Sequence, residues 1–244
     1  MSVKRIYHEN HGILERDYLD FGHEVRDEID ALDMPDGEKY QLLMHRLSLV
    51  RARIPRHFWE PSGDYSTSNR STWRELVKFY ENAQVIRNKG LGLTLIGTHS
   101  GNRTQSLYIV GREVVIRGYS CFITYFDEFV YFQKEAWTDD ALKSELAERF
   151  KSDFLFIVEI PEVSEISETI KRDLLALCLL RLNKGLPIIF SINMGLTSLD
   201  QLAPQSFIGR LVLPFAPVNK PLIVDDIGSI NDSHQAQWRQ VDAS

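Results

Sequence analysis

The sequence predicts an α/β protein: a mostly parallel, five-stranded sheet flanked by helices, with a small helical module in front of it. Five short apolar runs, LGLTLIG, YSCFITYF, SDFLFIVEI, LPIIFSIN and KPLIVDD, are separated by longer segments of helical period. The runs are nearly unbroken in apolar residues, as strands covered on both faces are, and their alternation with helices is the pattern of parallel crossovers. The 244 residues suffice for one such domain with a small appendage. Right-handed crossovers then put a ligand crevice at the carboxyl ends of the strands.

Taken in order, residues 1–53 are charged and helix-prone. HGILERDYLDFGHEVRDEIDAL predicts a helix with Leu14, Tyr18, Phe21 and Val25 near one side, and MPDG breaks it. EKYQLLMHRLSLVRARI resumes the period with Leu42, Leu43, Leu47 and Val50. Two such helices suit either a partner-binding module or padding on the main domain. IPRHFWEPSGDYSTSNRS, rich in turn residues, reads as a connector, and Ser71 is placed to cap the helix WRELVKFYENAQVI, which Lys89-Gly90 stops. The first strand, LGLTLIG, leads through a loop into TQSLYIVGREVVIRG, a helix in spite of its β-branched content. The second strand is followed by two helices, DEFVYFQKEAW and DDALKSELAERF. The third precedes ISETIKRDLLALCLLRLNKG, which reads as a strongly amphipathic helix with a Lys-Gly stop. After the fourth, SLDQLAPQSFIGRLV is helical or mixed and broken by Pro204. The boundaries implied are 1–53 for the helical module, 54–228 for the main domain and 229–244 for a polar, flexible tail.

Composition narrows the function. Hydrophobic residues at 43% and charged residues at 25% are ordinary for a globular chain. A net charge of −6 disfavours broad electrostatic binding to nucleic acid, which needs clustered Lys and Arg, although a local basic patch remains open. The two cysteines, Cys121 and Cys178, lie inside apolar segments and read as buried thiols; no Cys pair has zinc-ligand spacing. MSVKRIYHENHG carries no apolar run of the signal-peptide kind, and no stretch approaches the roughly 20 apolar residues of a membrane span, so a cytoplasmic protein is expected.

The chemistry-bearing stretch is LIGTHSGNRTQ, placed between the first strand and its helix. A phosphate-binding loop there reads G-x-x-x-x-G-K-[ST]: glycines let backbone N–H groups converge on phosphate oxygens, a Lys reaches the β- and γ-phosphates, and a hydroxyl ligates Mg²⁺. This chain has Gly97, Gly101, Asn102, Arg103 and Thr104. Gly97 and Thr104 keep the frame. Asn102 tolerates a left-handed backbone but adds bulk, and Arg103 keeps charge while changing shape. Taken alone, the loop is equally well a plain strand-to-helix turn. A phosphate-loop enzyme also needs an acid for Mg²⁺ at a later strand end, often followed by a glutamate that polarises water. Here the pair is Glu159-Ile160, with Glu162 beyond Pro161. Ile160 can neither accept a proton nor orient water. Asn193, ending the fourth strand, is either a turn residue or a group reaching toward a γ-phosphate, on the strand expected beside the first.

Residues 54 to about 224, some two-thirds of the chain, resemble the AAA+ domain of the DnaC/DnaI helicase loaders and their relative IstB, the transposition helper ATPase. The similar stretches, in order, are IPRHFWE, LGLTLIGTHSGNRT, RGYSCFITYFDEF, SDFLFIVEIPEV, LLALCLLRLNKGLPIIFSIN and SFIGRLV. The resemblance implies ATP or ADP with Mg²⁺ as cofactor, Thr104 and Glu159 near the metal, Asn193 as a sensor, and an arginine-finger region around Arg210. The departures are as informative. Ser100 and Asn102 stand for family glycines, Arg103 for the Lys, Ile160 for the second acid and Ser206 for the trans-acting arginine, and PLIVDDIGSIND lacks a sensor-two Arg. Loss of these together implies weak or absent nucleotide binding and lost hydrolysis, since an arginine finger alone supplies about 10³–10⁵ in rate in related systems.

The resemblance further implies that the N-terminal helices dock a replicative helicase or a helicase loader, and that a helical insertion after the second strand touches single-stranded DNA. In that insertion Tyr125, Tyr131, Phe132, Lys134 and Trp137 either stack bases or belong to the core, and Asp127, Glu128 and Glu135 oppose a DNA role. Three readings follow: a replication accessory protein with little or no ATP turnover; an active ATPase with a rearranged site, in which Arg103 contacts phosphate and Glu162 replaces the missing base; and a transposition helper assembling on DNA. A homo-oligomer is compatible with each.

Overall fold

The computed structural model describes residues 15–60, 70–97, 103–136, 138–194, 205–215 and 222–223. Helices α1 (Glu15–Asp30) and α2 (Asp36–Arg51) pack together, followed by a 3₁₀ turn at Arg56–Phe58. Helices α3 (Arg70–Glu81) and α4 (Ala83–Lys89) lead into β1 (Leu93–Gly97) and α5 (Arg103–Ile116). Strand β2 (Cys121–Tyr125) is followed by α6 (Phe126–Glu135) and α7 (Asp140–Arg149), and β3 (Phe154–Ile160) by α8 (Glu168–Asn183). Strand β4 (Ile188–Asn193), α9 (Phe207–Val212) and β5 (Leu222–Ile223) complete the described chain. The five strands are parallel, in the order β2-β3-β4-β1-β5. The predicted fold class is therefore the observed one.

Two apolar layers cover the sheet. On one face Leu95, Ile123, Phe154, Phe156 and Val158 meet α1 to α5. On the other Ile96, Phe122, Leu155, Ile157 and Phe190 meet α6, α8 and α9. Strand residues alternate between the layers because their side chains point to opposite faces with period two. Gly111, inside α5, lets that helix lie close to β2: a Cβ there would stand 2.8 Å from Ile123 Cδ1. Gly90 closes α4 with φ +65°, the left-handed cap expected from the Lys-Gly stop.

The N-terminal helices are part of this core. Val25, Ile29, Leu49 and Val50 are buried with Leu107 and Val110 of α5, and the Ile123 amide donates to the Ala52 carbonyl at 3.2 Å. A boundary at residue 53 thus cuts through one continuous apolar cluster. The described start of the segment read as a connector, residues 54–60, is also packed. Phe58 and Trp59 are buried, the Trp59 indole donates to the Ile54 carbonyl at 2.7 Å, and Arg112 donates to the carbonyls of Phe58 and Glu60.

Three further expectations are corrected. Helix α3 starts at Arg70, so Ser71 lies in its first turn instead of capping it, and the predicted single helix breaks at Asn82 into α3 and α4. Helix α8 is not cleanly amphipathic, because Leu179, Leu180 and Leu182 are exposed while Arg181 is buried. Arg181 is placed there by the carbonyls of Phe150, Ser152, Asp153 and Pro187, to which its guanidinium donates, and burial lowers its pKa to about 10. Both cysteines are buried free thiols, as predicted, and burial raises their pKa values. Among the described residues no helix is long and apolar enough to cross a membrane. Leu14, Pro204 and the tail 229–244 lie outside the described residues.

Candidate functional site

Strand β1 ends at Gly97, whose carbonyl accepts from the Met194 amide at 3.0 Å. In the sheet register Gly97 lies opposite Asn193, so the last residues of β1 and β4 sit side by side. Helix α5 begins at Arg103, with its N-terminal amides at the end where anions are favoured. Thr104 Oγ1 donates to Glu159 Oε1, and an Arg103 guanidinium nitrogen lies 3.7 Å from Glu159 Oε2. Gly97, Arg103, Thr104, Glu159 and Asn193 therefore gather at the carboxyl edge of β1, β3 and β4. Gly101 and Asn102 lie outside the described residues.

Glu159 reaches Thr104 through a local break in strand geometry. Its φ is +58°, one of two positive values at non-glycine residues among those described, and the β3–β4 register is irregular between Ile157 and Ile160. Leu155 and Ile157 belong to the α6/α8/α9 layer, and Phe156 and Val158 to the other. Strict alternation would put Ile160 with Phe156 and Val158. It lies instead with Leu155 and Ile157, fully buried and paired in register with Ile192. The bulge thus turns Glu159 toward α5 and seats Ile160 in the core, a re-aiming typical of bulges beside sites. Nothing in the sequence signals it, because a non-glycine residue with positive φ is uncommon.

A hard cation is held by oxygen ligands, and Mg²⁺ takes one or two protein groups together with phosphate and water. The Thr104 hydroxyl and the Glu159 carboxylate supply such a pair, so the residues present fit the metal of a nucleotide complex. Among the described residues no cluster of three or more His, Cys, Asp or Glu side chains is arranged to hold a metal on its own. Arg103 is the less orthodox member: its side chain is buried against the same carboxylate, where it offsets the acid's charge. Glu162, proposed to replace the missing base, is exposed at the start of a 3₁₀ turn over Val163–Glu165.

No protein-family model matches the sequence, and no curated protein is similar to it. Among solved structures, the crystal structure of the DnaC helicase loader is similar with a TM-score of 0.55 and 17% identity, covering 69% of this chain and 99% of that one. DnaI gives a TM-score of 0.54 and 20% identity, covering 69% and 93%. The replication initiator DnaA bound to AMPPCP and single-stranded DNA gives 0.52 and 15%, covering 70% of this chain and half of that one. The chain shares its fold with these proteins: a parallel sheet flanked by helices, over about 70% of its length.

On this fold the remaining predicted residues divide. Arg210 is exposed on α9, whereas Ser206, at the position the resemblance gives to the trans-acting arginine, caps α9 by accepting from the Gly209 amide at 2.9 Å. In the proposed DNA segment, Phe132 is buried in a small cluster with Ala136 and Leu146, against which half-buried Tyr131 packs. Tyr125 opens α6 and its hydroxyl accepts from Tyr108 at 3.0 Å. Lys134 is exposed, and Trp137 lies outside the described residues. Sequence reading missed Arg53, whose guanidinium donates to both oxygens of Glu128 at 2.9 and 2.6 Å, both side chains being about 95% buried. Glu128, weighed only as an opponent of DNA, in addition accepts from the Tyr125 amide at 3.1 Å.

Proposed function

We propose that this protein is a DNA-replication accessory factor of the helicase-loader kind, acting by binding a replicative helicase or its loader with little or no ATP hydrolysis. The observation that carries the reading is Ile160. A AAA+ ATPase needs a base beside the attacking water, and this position holds a fully buried apolar side chain facing the core. A surviving pocket binds ATP or ADP weakly, with Thr104 and Glu159 at the Mg²⁺, Arg103 near the phosphates and Asn193 beside them. The metal would neutralise phosphate charge there. The chain's own residues orient the nucleotide without activating water.

The N-terminal helices are the docking element in this reading. Tyr40 and Met44, one turn apart on α2, are exposed, as is Leu32 near the start of the α1–α2 connection. Deleting the helices would open the core, so the test is a pull-down with the host's replicative helicase using Tyr40→Ala/Met44→Ala. Capture by the native chain and loss with the double variant supports docking; equal capture removes it. Single-stranded DNA contact through Tyr131, Lys134 and Trp137 is a subsidiary part of the proposal. It would weaken with salt and with Lys134→Ala.

The second reading, an active ATPase with a rearranged site, is favoured by one observation: Thr104 and Glu159 meet as metal ligands would. Steady-state Mg²⁺-ATP turnover that Arg103→Ala abolishes would favour it over the first.

A further inference from the structure

The end of the sheet opposite the candidate nucleotide site carries an apolar groove that is left open among the described residues. It lies between the α6–α7 pair and the second half of α8, close to where β3 and β4 begin. Leu146, Phe150, Leu177, Leu180 and Leu186 line it, and it encloses about 260 Å³. Leu180 is 50% exposed, and on the same helix Leu179 is 59% and Leu182 37% exposed, so α8 presents leucines outside the groove as well. Helix α8 is the core-facing helix the sequence led one to expect on its Leu174, Leu177 and Cys178 side, yet its outer side is leucine-rich. Exposed leucines beside an open apolar groove are the kind of surface that serves for interaction.

The groove's charge says what covers it. The chain as a whole is acidic, with 34 Asp and Glu against 28 Lys and Arg. Among the described residues the groove lining nevertheless contains Lys143, Lys151, Lys184 and Arg181 and no carboxylate. Arg181 is spent on carbonyls inside the fold, and Lys151 pairs with Glu148 on the same exposed turn. Lys143 and Lys184 remain as exposed cations on the rim. An apolar trough with a basic rim fits an amphipathic helix whose apolar stripe is flanked by acids, docked by the helix-in-groove mode with charge fixing its orientation. We propose that this groove binds an acidic amphipathic helix of a partner protein. The inference stands apart from the nucleotide site and from the α1–α2 docking face, and would survive the failure of either.

The probe is a fluorescein-labelled, helix-forming peptide of about 18 residues, with leucines three and four apart and glutamates flanking them. A matched peptide carries lysines in place of the glutamates. Fluorescence anisotropy with the full chain should show saturable binding of the glutamate peptide that weakens as salt rises, and weaker binding of the lysine peptide. Leu180→Glu should cost about tenfold in affinity, a loss typical of a central contact. Since Leu180 is half exposed, the fold should tolerate this change, which circular dichroism checks. Lys143→Glu/Lys184→Glu touches only exposed side chains and should reverse the preference toward the lysine peptide. The proposal is overturned if the native chain binds neither peptide, if both bind equally, or if the rim variant keeps the native preference. It is equally overturned if sedimentation shows a dimer that Leu180→Glu dissolves, because the groove would then be covered by a second copy.

Discussion

Thr104 donates its hydroxyl proton to Glu159, across the gap between the start of α5 and the end of β3. Each residue satisfies the other in the absence of a cation, and each is an oxygen ligand of the kind Mg²⁺ takes. Nucleotide binding should therefore require the metal and both residues. Millimolar Mg²⁺-ADP is expected to stabilise the chain by about 1 kcal/mol, a Tm increase of about 2–4 °C. Thr104→Ala and Glu159→Gln should each remove that increase, and so should EDTA. Differential scanning fluorimetry reads all three; an unchanged Tm shift in Glu159→Gln would remove the metal role.

Restoring the missing acid should not restore hydrolysis. Ile160 sits in the layer with Leu155, Ile157 and Ile192, on the far side of β3 from Thr104. A glutamate there would bury an unpaired carboxylate, at a cost of about 3 kcal/mol or more. Ile160→Glu is expected to lower Tm by several degrees and to show no gain in phosphate release. A folded Ile160→Glu variant that hydrolyses ATP would mean that this position faces the nucleotide after all.

How far the sequence could be read follows from the range of each signal. The strands were legible because apolar runs between helical periods are a local pattern, and the fourth strand was expected beside the first; the register that sets Gly97 opposite Asn193 came only with the structure. The bulge at Glu159 was not legible. A single residue with φ +58° leaves the apolar count of FLFIVEI unchanged while reversing which face its last two residues take. Arg53 was invisible for a different reason: its partner Glu128 is 75 residues away, and no local period links a charge after α2 to one in α6. The same distance hid the joining of α1 and α2 to the main core, since Val25 and Val50 look alike whether they pad a module or a domain.

The Arg53–Glu128 pair ties those helices to α6, and it should behave as a buried ion pair. Arg53 has φ +63°, and Glu128 also accepts from the Tyr125 amide that opens α6. Removing one partner leaves the other charge buried and costs about 3–5 kcal/mol, whereas replacing both by apolar groups of similar volume costs far less. Glu128→Gln and Arg53→Met are each expected to destabilise strongly in urea melts, and Arg53→Met/Glu128→Leu to recover most of the loss. Additive single losses in the double variant would show that the two side chains are not coupled.

Acid should weaken the junction at the start of β3. Burial pushes the Asp153 carboxyl up, but the Arg87 guanidinium at 2.7 Å and the Ser120 hydroxyl and amide at 2.7 and 3.0 Å outweigh it and hold the pKa below its ordinary 3.8. A carboxylate depressed in the folded state contributes stability above its unfolded value and loses it as pH falls through the folded one. Asp153→Asn should therefore be less stable than the native chain at pH 7, by about 1 kcal/mol for a partly exposed pair. The gap should stay constant down to about pH 4 and close below it, as Asp153 takes up its proton. Glu113, held low against burial by Arg117 and Arg112, contributes equally to both chains and cancels in the comparison. Thermal melts of the pair from pH 7 to pH 3 check the sign, and a gap that widened on acidification would show that Asp153 gains nothing from Arg87 and Ser120.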